Sequence, residues 1–203
     1  MEFTLYYRGP LKATTRANTR VREKHDLRRY FHKQLKELWN QKPLSEYPEF
    51  LEHNKRLAIG LGTDDTGDYA DYEDITLLRQ VREFQFVPTV SSDLNMVADL
   101  TITLLRPEEP GSIITQGGDI DNRLKTLLDS LKVPEADEIP TDEAVPIDET
   151  PFFCLVEDDN LITSLGLTTD RLLDSSADSS EVILLINVRT RVLRGNFANL
   201  GLI

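Results

Sequence analysis

The sequence predicts an α+β fold in which a mixed, largely antiparallel sheet carries two main helices. Two segments repeat their apolar residues with helical spacing, several short segments have the apolar character of strands, and no internal repeat is visible. A chain of 203 residues is long enough for one well-buried core. We therefore expect a single domain over residues 1–203, with acidic loops at about 60–75 and 134–150.

The chain is expected to open with a strand and a long helix. Glu2–Arg8 alternates loosely, and Gly9-Pro10 is expected to break it. From about Val21 to Gln41 the pattern is helical, because four large apolar residues fall on one face. These residues are Leu27, Phe31, Leu35 and Leu38. A basic stripe lies close to the opposite face of this helix. It consists of Arg22, Arg29, Lys33 and Lys36.

Two strands and a second helix follow. Strands are expected at Arg79–Val90 and at Met96–Arg106, the second of which alternates well between apolar and polar residues. The second helix runs from about Asp119 or Ile120 to Lys132, and its leucines form one apolar stripe. This stripe consists of Leu124, Leu127, Leu128 and Leu131.

The last part of the chain combines a polar insert with three strands. Residues 134–150 contain three prolines and seven acidic residues, which predicts an exposed insert with little chance of a core. Short apolar segments then predict strands at Phe152–Val156, Leu161–Leu167 and Val182–Val188. Cys154 is expected to be a small core residue, and the three histidines are expected at the surface or on helix flanks. They are His25, His32 and His53.

The charge is distributed unevenly along the chain. The net charge is -12, which argues against a nucleic-acid partner, because binding phosphates needs a basic surface. Residues 1–57, however, carry 13 Lys and Arg against 7 Asp and Glu, and the rest of the chain carries 10 against 28. Local potential steers a ligand, so the basic segment either holds a polyanion or is simply a solvated helix face.

The sequence favours a cytoplasmic protein. Its apolar runs, such as Val182–Ile186, are far shorter than the roughly 20 residues needed to span a membrane. The first residues lack the basic and apolar regions of a secretory signal. Cys154 is the only cysteine, which excludes an internal disulfide and any thiolate cluster for zinc.

The second predicted helix begins with a cluster of polar residues. Asp119 and Asp121 fall at or just before its N-terminus, where aspartate is a favoured cap. Lys125 follows Asp121 by one turn, and Asp129 follows Lys125 by one turn, so the three share a face. This row is either part of an active site or a cap followed by exposed ion pairs.

A second acidic group comes later in the chain. Glu157-Asp158-Asp159 ends a strongly apolar strand and precedes another apolar segment. The group is either an ordinary hairpin turn or a source of carboxylates that meet Asp119 and Asp121. Clustered carboxylates resist ionising together unless a cation neutralises them. Oxygen ligands alone favour Mg²⁺, with Mn²⁺ as a possible substitute, over zinc.

The two groups together resemble the RusA-type Holliday junction resolvases. The family pattern, D-x-D-N-x-x-K-x-x-x-D-x-L followed by D-D-x-x-[IV], is matched by residues 119–131 and 158–162. The resemblance implies a RusA-like fold and a magnesium-dependent endonuclease that takes part in DNA recombination and repair. It makes Asp119, Asp121 and Asp159 the metal-binding carboxylates and Lys125 the catalytic lysine, while Asp158 matches the first aspartate of the later pair.

The resemblance also implies partners. A four-way DNA junction is two-fold symmetric, so a homodimer is expected to present one site to each of two strands. The expected backbone contacts are basic residues of the N-terminal segment: Arg16, Arg20, Arg22, Arg29, Lys33 and Lys36. Two alternatives stay open: a non-catalytic RusA-like module that binds nucleic acid or protein, and a nuclease for another DNA or RNA substrate. The chain departs from the family pattern at Val156-Glu157, where an aromatic residue is common, and in its acidic insert.

Overall fold

The computed structural model describes most of the chain. The described residues are 1–11, 20–52, 56–58, 72–74, 76–107, 119–174, 176–177, 180–196 and 198–202. At residues 56–58, 72–74 and 119 the backbone alone is described. The acidic loop expected at residues 60–75 lies outside this set, apart from a short strand at Tyr72–Asp74.

The described residues form two α-helices and nine strands. The helices are α1 (Val21–Trp39) and α2 (Asp119–Leu131), which confirms both predicted helices. The strands are β1 (Glu2–Pro10), β2 (Arg56–Ala58), β3 (Tyr72–Asp74), β4 (Arg79–Val81), β5 (Phe84–Val90), β6 (Met96–Arg106), β7 (Phe152–Val156), β8 (Ile162–Arg171) and β9 (Glu181–Val192).

The strands belong to three sheets. The largest has the order β1-β9-β6-β8, in which β9 is antiparallel to both neighbours and β8 runs parallel to β6. The others are β2-β3 and β4-β5-β7, and only β5 and β7 pair in parallel there. Four of these six strand pairings are antiparallel, which confirms the predicted α+β arrangement with a mixed, largely antiparallel sheet.

The main sheet buries one face. In β6, Leu100, Ile102 and Leu104 are buried, while Thr101 between them is exposed. Successive residues of a strand point to opposite faces, so this alternation places one side of β6 against the core. α1 and α2 pack on that core through the apolar residues that the helical spacing predicts, among them Phe31 and Leu127.

Several strand boundaries differ from the prediction, and β8 and β9 each end four residues beyond the predicted ends at Leu167 and Val188. β1 continues through Gly9 to Pro10, which pairs with Glu181 of β9, because Pro is tolerated at the edge of a sheet. Residues 79–90 form a hairpin of β4 and β5 instead of one strand. Its turn contains Arg82, whose φ of 50° reverses the chain without a glycine.

The outer edge of β1 is covered by a side chain. The Gln34 side chain, on α1, accepts a hydrogen bond from the backbone N–H of Tyr6 at 2.9 Å. The Gln34 amide nitrogen donates to the carbonyl of Tyr6 at 2.8 Å. The amide thus occupies one donor and one acceptor of the kind that an edge strand otherwise presents to another chain.

The expectation of surface histidines is wrong for His25 and His32, which are 0% and 2% exposed. The His32 ring lies 4.4 Å from that of Phe152, and its Nδ1 accepts a hydrogen bond from the backbone of Phe153 at 2.8 Å. His53 lies outside the described residues. α1 therefore buries polar rings against β7, because its packed face is wider than the apolar stripe alone indicates.

The predicted exposed insert is partly packed. Residues 134–150 contain two short 3₁₀ turns, at Ala136–Glu138 and Ile147–Glu149. Ile139 is buried against the aromatic cluster that includes Phe86 and Phe152. The insert is held by a few apolar residues and by its carboxylates instead of by a continuous core. Although its sequence is polar, it is therefore not wholly exposed to solvent.

Candidate functional site

α2 presents its polar residues in two different environments. Asp121 and Lys125 are exposed, whereas Asp129 is 7% exposed. The Nζ of Lys24, on α1, lies 2.6 Å from Oδ2 of Asp129. The sequence predicts that Asp121, Lys125 and Asp129 share one face, but only the first two are open to solvent. Asp129 instead joins α2 to α1.

A second contact joins the helices beside this ion pair. Arg28 is almost fully buried, and its Nη2 donates to the backbone carbonyl of Asp129 at 2.9 Å. Its Nη1 lies 3.3 Å from Nδ1 of His25. Burial, followed by the charge of Arg28, lowers the pKa of His25 to about 3, so the ring is neutral. Together these groups fix α2 against α1 beneath the exposed Asp121 and Lys125.

The later acidic group follows β7 directly. Asp158 is half-buried, and its carboxylate accepts a hydrogen bond from the backbone N–H of Asn160 at 3.0 Å. It therefore caps the 3₁₀ turn Asp159–Leu161. Asp159 is exposed at the start of that turn.

Glu157, where this chain departs from the family pattern, anchors the same turn. Its carboxylate accepts hydrogen bonds from Nε of Arg79 at 2.7 Å, from Oγ of Ser91 at 2.8 Å and from the backbone N–H of Ser92 at 3.0 Å. Burial raises the pKa of Glu157, but hydrogen bonds from Arg79, Ser91 and Ser92 outweigh it and hold the pKa below its usual value. This role was not predicted from the sequence. Three consecutive acidic residues after a buried strand were the available signal that one of them is structural.

The two acidic segments lie near different parts of β6. Ile162, three residues after Asp159, is paired with Ala98 near the start of β6. Ile120, in the first turn of α2, lines a small apolar pocket together with Ile102, farther along the strand. Because a strand advances about 3.3 Å per residue, Ala98 and Ile102 are about 13 Å apart.

The described part of the structure therefore does not bring the predicted metal ligands together. Among the described side chains, which do not include that of Asp119, no group of three His, Cys, Asp or Glu residues is placed to hold a metal ion. The same part of the chain offers no hydrogen-bond or ion-pair partner to the side chains of Asp121, Lys125 and Asp159. The metal site stays a prediction, and its exposed members are open to an added ligand.

The predicted DNA-contacting residues differ in their surroundings. Arg16 lies outside the described residues, Arg20 pairs with Glu23 at 3.0 Å, and Lys33 is exposed. The other three engage the acidic insert: Arg22, Arg29 and Lys36. The basic stripe predicted on α1 thus exists, but much of it is covered by another part of the chain.

Comparison of the chain with models of protein families, with curated proteins and with solved structures found no match. Neither of the described helices has the length and apolar character needed to cross a membrane.

Proposed function

We propose that this chain is a magnesium-dependent DNA endonuclease of the RusA type, acting on Holliday junctions or other branched DNA. The observation that carries the proposal is the ordered pair of motifs at residues 119–131 and 158–162. Two linked motifs in the right order, each next to a packed element, are much more specific than a single D-x-D sequence.

The surroundings of the motif residues support the proposal. Lys125 lies one turn after Asp121 on the exposed side of α2, and the buried pair of Lys24 and Asp129 holds that helix on α1. Asp159 is exposed on a turn that Glu157 anchors. Each segment is thus supported separately by packed or hydrogen-bonded neighbours, as a reactive group requires.

The donor set fits a hard divalent cation. Asp119, Asp121 and Asp159 would hold Mg²⁺, with Asp158 as a fourth candidate, because carboxylate oxygens suit Mg²⁺ and Mn²⁺. Such an ion, when bound, lowers the pKa of a bound water and stabilises charge on the phosphoryl oxygens. Binding by both segments requires the turn that carries Asp159 to approach the first turn of α2.

The residues of the chain itself have distinct roles in this mechanism. The ammonium group of Lys125 would stabilise the negative charge that grows on the scissile phosphate, or orient the attacking water. The carboxylate of Asp121, one turn away, would lie on the same exposed side of α2 as that ammonium group. Hydrolysis leaves a nick in one strand, so a homodimer is the assembly that matches a two-fold symmetric junction.

Cleavage of a labelled four-way junction tests the proposal. We expect the wild-type chain to nick the junction with Mg²⁺ or Mn²⁺ and to stop when EDTA is added. Asp121→Asn and Lys125→Met should each reduce the rate by at least about 100-fold, a common cost of removing a group that stabilises transition-state charge. Asp170→Asn, which removes an exposed aspartate of β8, is the control and should keep full activity.

One observation favours a second candidate. The basic face of α1 is largely engaged by acidic residues, as expected of a non-catalytic RusA-like module whose acidic surface serves a protein partner. That candidate predicts no cleavage of junctions, flaps or RNA with either metal ion. Cleavage of flaps or RNA, but not of junctions, would instead indicate a nuclease that acts on a different substrate. Absence of cleavage, together with absence of Mn²⁺ binding by calorimetry, would refute the nuclease.

A further inference from the structure

The acidic insert lies across the basic side of α1. Nη2 of Arg22 contacts both carboxylate oxygens of Asp142, at 2.8 and 2.9 Å, and Nη1 lies 3.4 Å from Glu143. Both Arg22 and Asp142 are mostly exposed. One guanidinium nitrogen thus contacts both oxygens of a carboxylate, and arginine pairs with phosphate groups through the same nitrogens.

A stronger set of contacts lies one helical repeat farther along α1. Nε of Arg29 donates to both carboxylate oxygens of Glu149, at 2.7 and 3.0 Å, and Nη1 donates to Glu143. The side chains of Arg29 and Glu149 are 22% and 10% exposed. Nζ of Lys36 donates to the backbone carbonyl of Asp148 at 2.6 Å. The insert therefore engages cations at three successive positions of one helix face.

The two halves of the insert are held in different ways. The first half is anchored by buried Ile139, whose carbonyl accepts a hydrogen bond from Arg82 at 2.9 Å, and by Glu138, which is 3.6 Å from Lys132. In the second half, residues 141–149, Glu149 is buried and Val145 packs, partly buried, against the aromatic cluster, while the other side chains are more open. Its contacts with α1 are mainly charged, and the exposed pair of Arg22 and Asp142 contributes only about 0–1 kcal/mol.

We propose that residues 141–149 are an internal mimic of a nucleic-acid backbone, and that they occupy a polyanion site formed by Arg22, Arg29 and Lys36. These cations are seven residues apart, so they extend over about 21 Å of helix. One strand of duplex DNA carries about six phosphates over that length. Lys33 is exposed on the same helix and adds a cation to the site.

The site can bind DNA only when the second half of the insert leaves it. Phosphates compete with Asp142, Glu143 and Glu149 for the same arginines, so the carboxylates weaken DNA binding without changing the groups that contact DNA. The choice of nucleic acid as the polyanion rests on the proposed nuclease function. Binding itself does not need cleavage, and this permits a separate test.

The experiment measures binding of labelled duplex DNA by fluorescence anisotropy in EDTA, with the full-length chain at several salt concentrations. Glu143→Gln combined with Glu149→Gln should bind at least about tenfold more tightly than wild type. The slope of log K against log salt should steepen by about 1, because the variant frees Arg29, each arginine that meets a phosphate adds about 0.9, and Asp142 still engages Arg22.

Two further variants make the result specific. Glu2→Gln with Asp170→Asn removes the same charge from exposed positions of β1 and β8 and should leave affinity unchanged within about twofold. Adding Arg22→Gln and Arg29→Gln to the insert variant should return affinity to the wild-type value. Circular dichroism confirms that each variant is folded.

Equal tightening in the control pair, or no tightening in the folded insert variant, would overturn the internal mimic. Persistence of the gain after loss of both arginines would overturn it as well. Failure of the junction cleavage assay leaves this result untouched, because DNA binding is measured without metal ions. The two proposals therefore fail separately.

Discussion

Lowering the pH from about 7.5 to about 5 is expected to destabilise the fold, because two buried histidines are neutral in it. An unfolded histidine has a pKa of about 6.5. Burial lowers the pKa of His25 to about 3 and that of His32 to about 4. Below about pH 6.5 the unfolded chain therefore binds protons that the folded chain does not, and the free energy of unfolding falls as the pH falls.

The size of the effect follows from the linkage between protonation and folding. Each histidine lowers the free energy of unfolding by about 1.4 kcal/mol for each pH unit below about 6.5. This loss continues until the pH approaches the pKa of that histidine in the folded protein. At about pH 5 the loss is about 2 kcal/mol for each ring and about 4 kcal/mol for both. A domain with a total stability of about 5–15 kcal/mol would lose a large part of it.

Urea unfolding followed by circular dichroism at the two pH values measures this loss. His25→Phe removes one titrating ring from an aromatic environment that contains Phe84 and Phe152 and should halve the difference between the two pH values. Asp174→Asn is the control. Hydrogen bonds from Ser176 and Arg8 lower the pKa of Asp174 to about 2, so this group stays ionised throughout. A wild-type loss below about 1 kcal/mol would refute the burial of neutral rings.

Three further changes test the packing around the candidate site by urea or thermal unfolding. Lys24→Met should cost about 3–5 kcal/mol, because it leaves Asp129 buried without its cation, and adding Asp129→Leu should recover most of that loss. Leu155→Ala should cost about 2–5 kcal/mol, since Leu155 is 0% exposed in β7; a cost below about 1 kcal/mol would contradict this burial. Glu157→Gln should cost about 1–3 kcal/mol by weakening the hydrogen bonds from Arg79 and Ser91, and an unchanged melting temperature would show that Glu157 does not anchor the turn.

Local patterns predicted the elements whose burial is periodic. In α1 the spacing of Leu27, Phe31 and Leu35 indicated both the helix and its buried face, and all three are buried. The alternation in β6 did the same for its strand. Such patterns record which side of a single element meets the core, so they need no knowledge of the partner.

Contacts between distant segments could not be predicted in this way. Arg29 and Glu149 are 120 residues apart, and His32 and Phe153 are 121 apart. Nothing in the local sequence of α1 says that its basic side meets carboxylates or that its histidines are buried. The hairpin turn at Arg82 was missed because it contains neither Gly nor Asn, the residues that most often signal positive φ.

The candidate site was predictable only as two separate segments. The motif placed Asp121 and Lys125 on α2, and it placed Asp158 and Asp159 after β7, where the structure has them. Their approach to one another depends on how α2 crosses the sheet, which is a property of packing. Glu157 shows the same limit, because its hydrogen bonds reach Arg79, 78 residues earlier in the chain.

The amide of Gln34 has a consequence for self-association. Edge-to-edge association of β-sheets requires each molecule to pair an edge strand with a neighbouring molecule on each side. Since Gln34 saturates the peptide groups of Tyr6 in the middle of β1, a strand arriving at that border finds its register interrupted. This position of β1 is therefore closed to a new strand for as long as α1 remains docked.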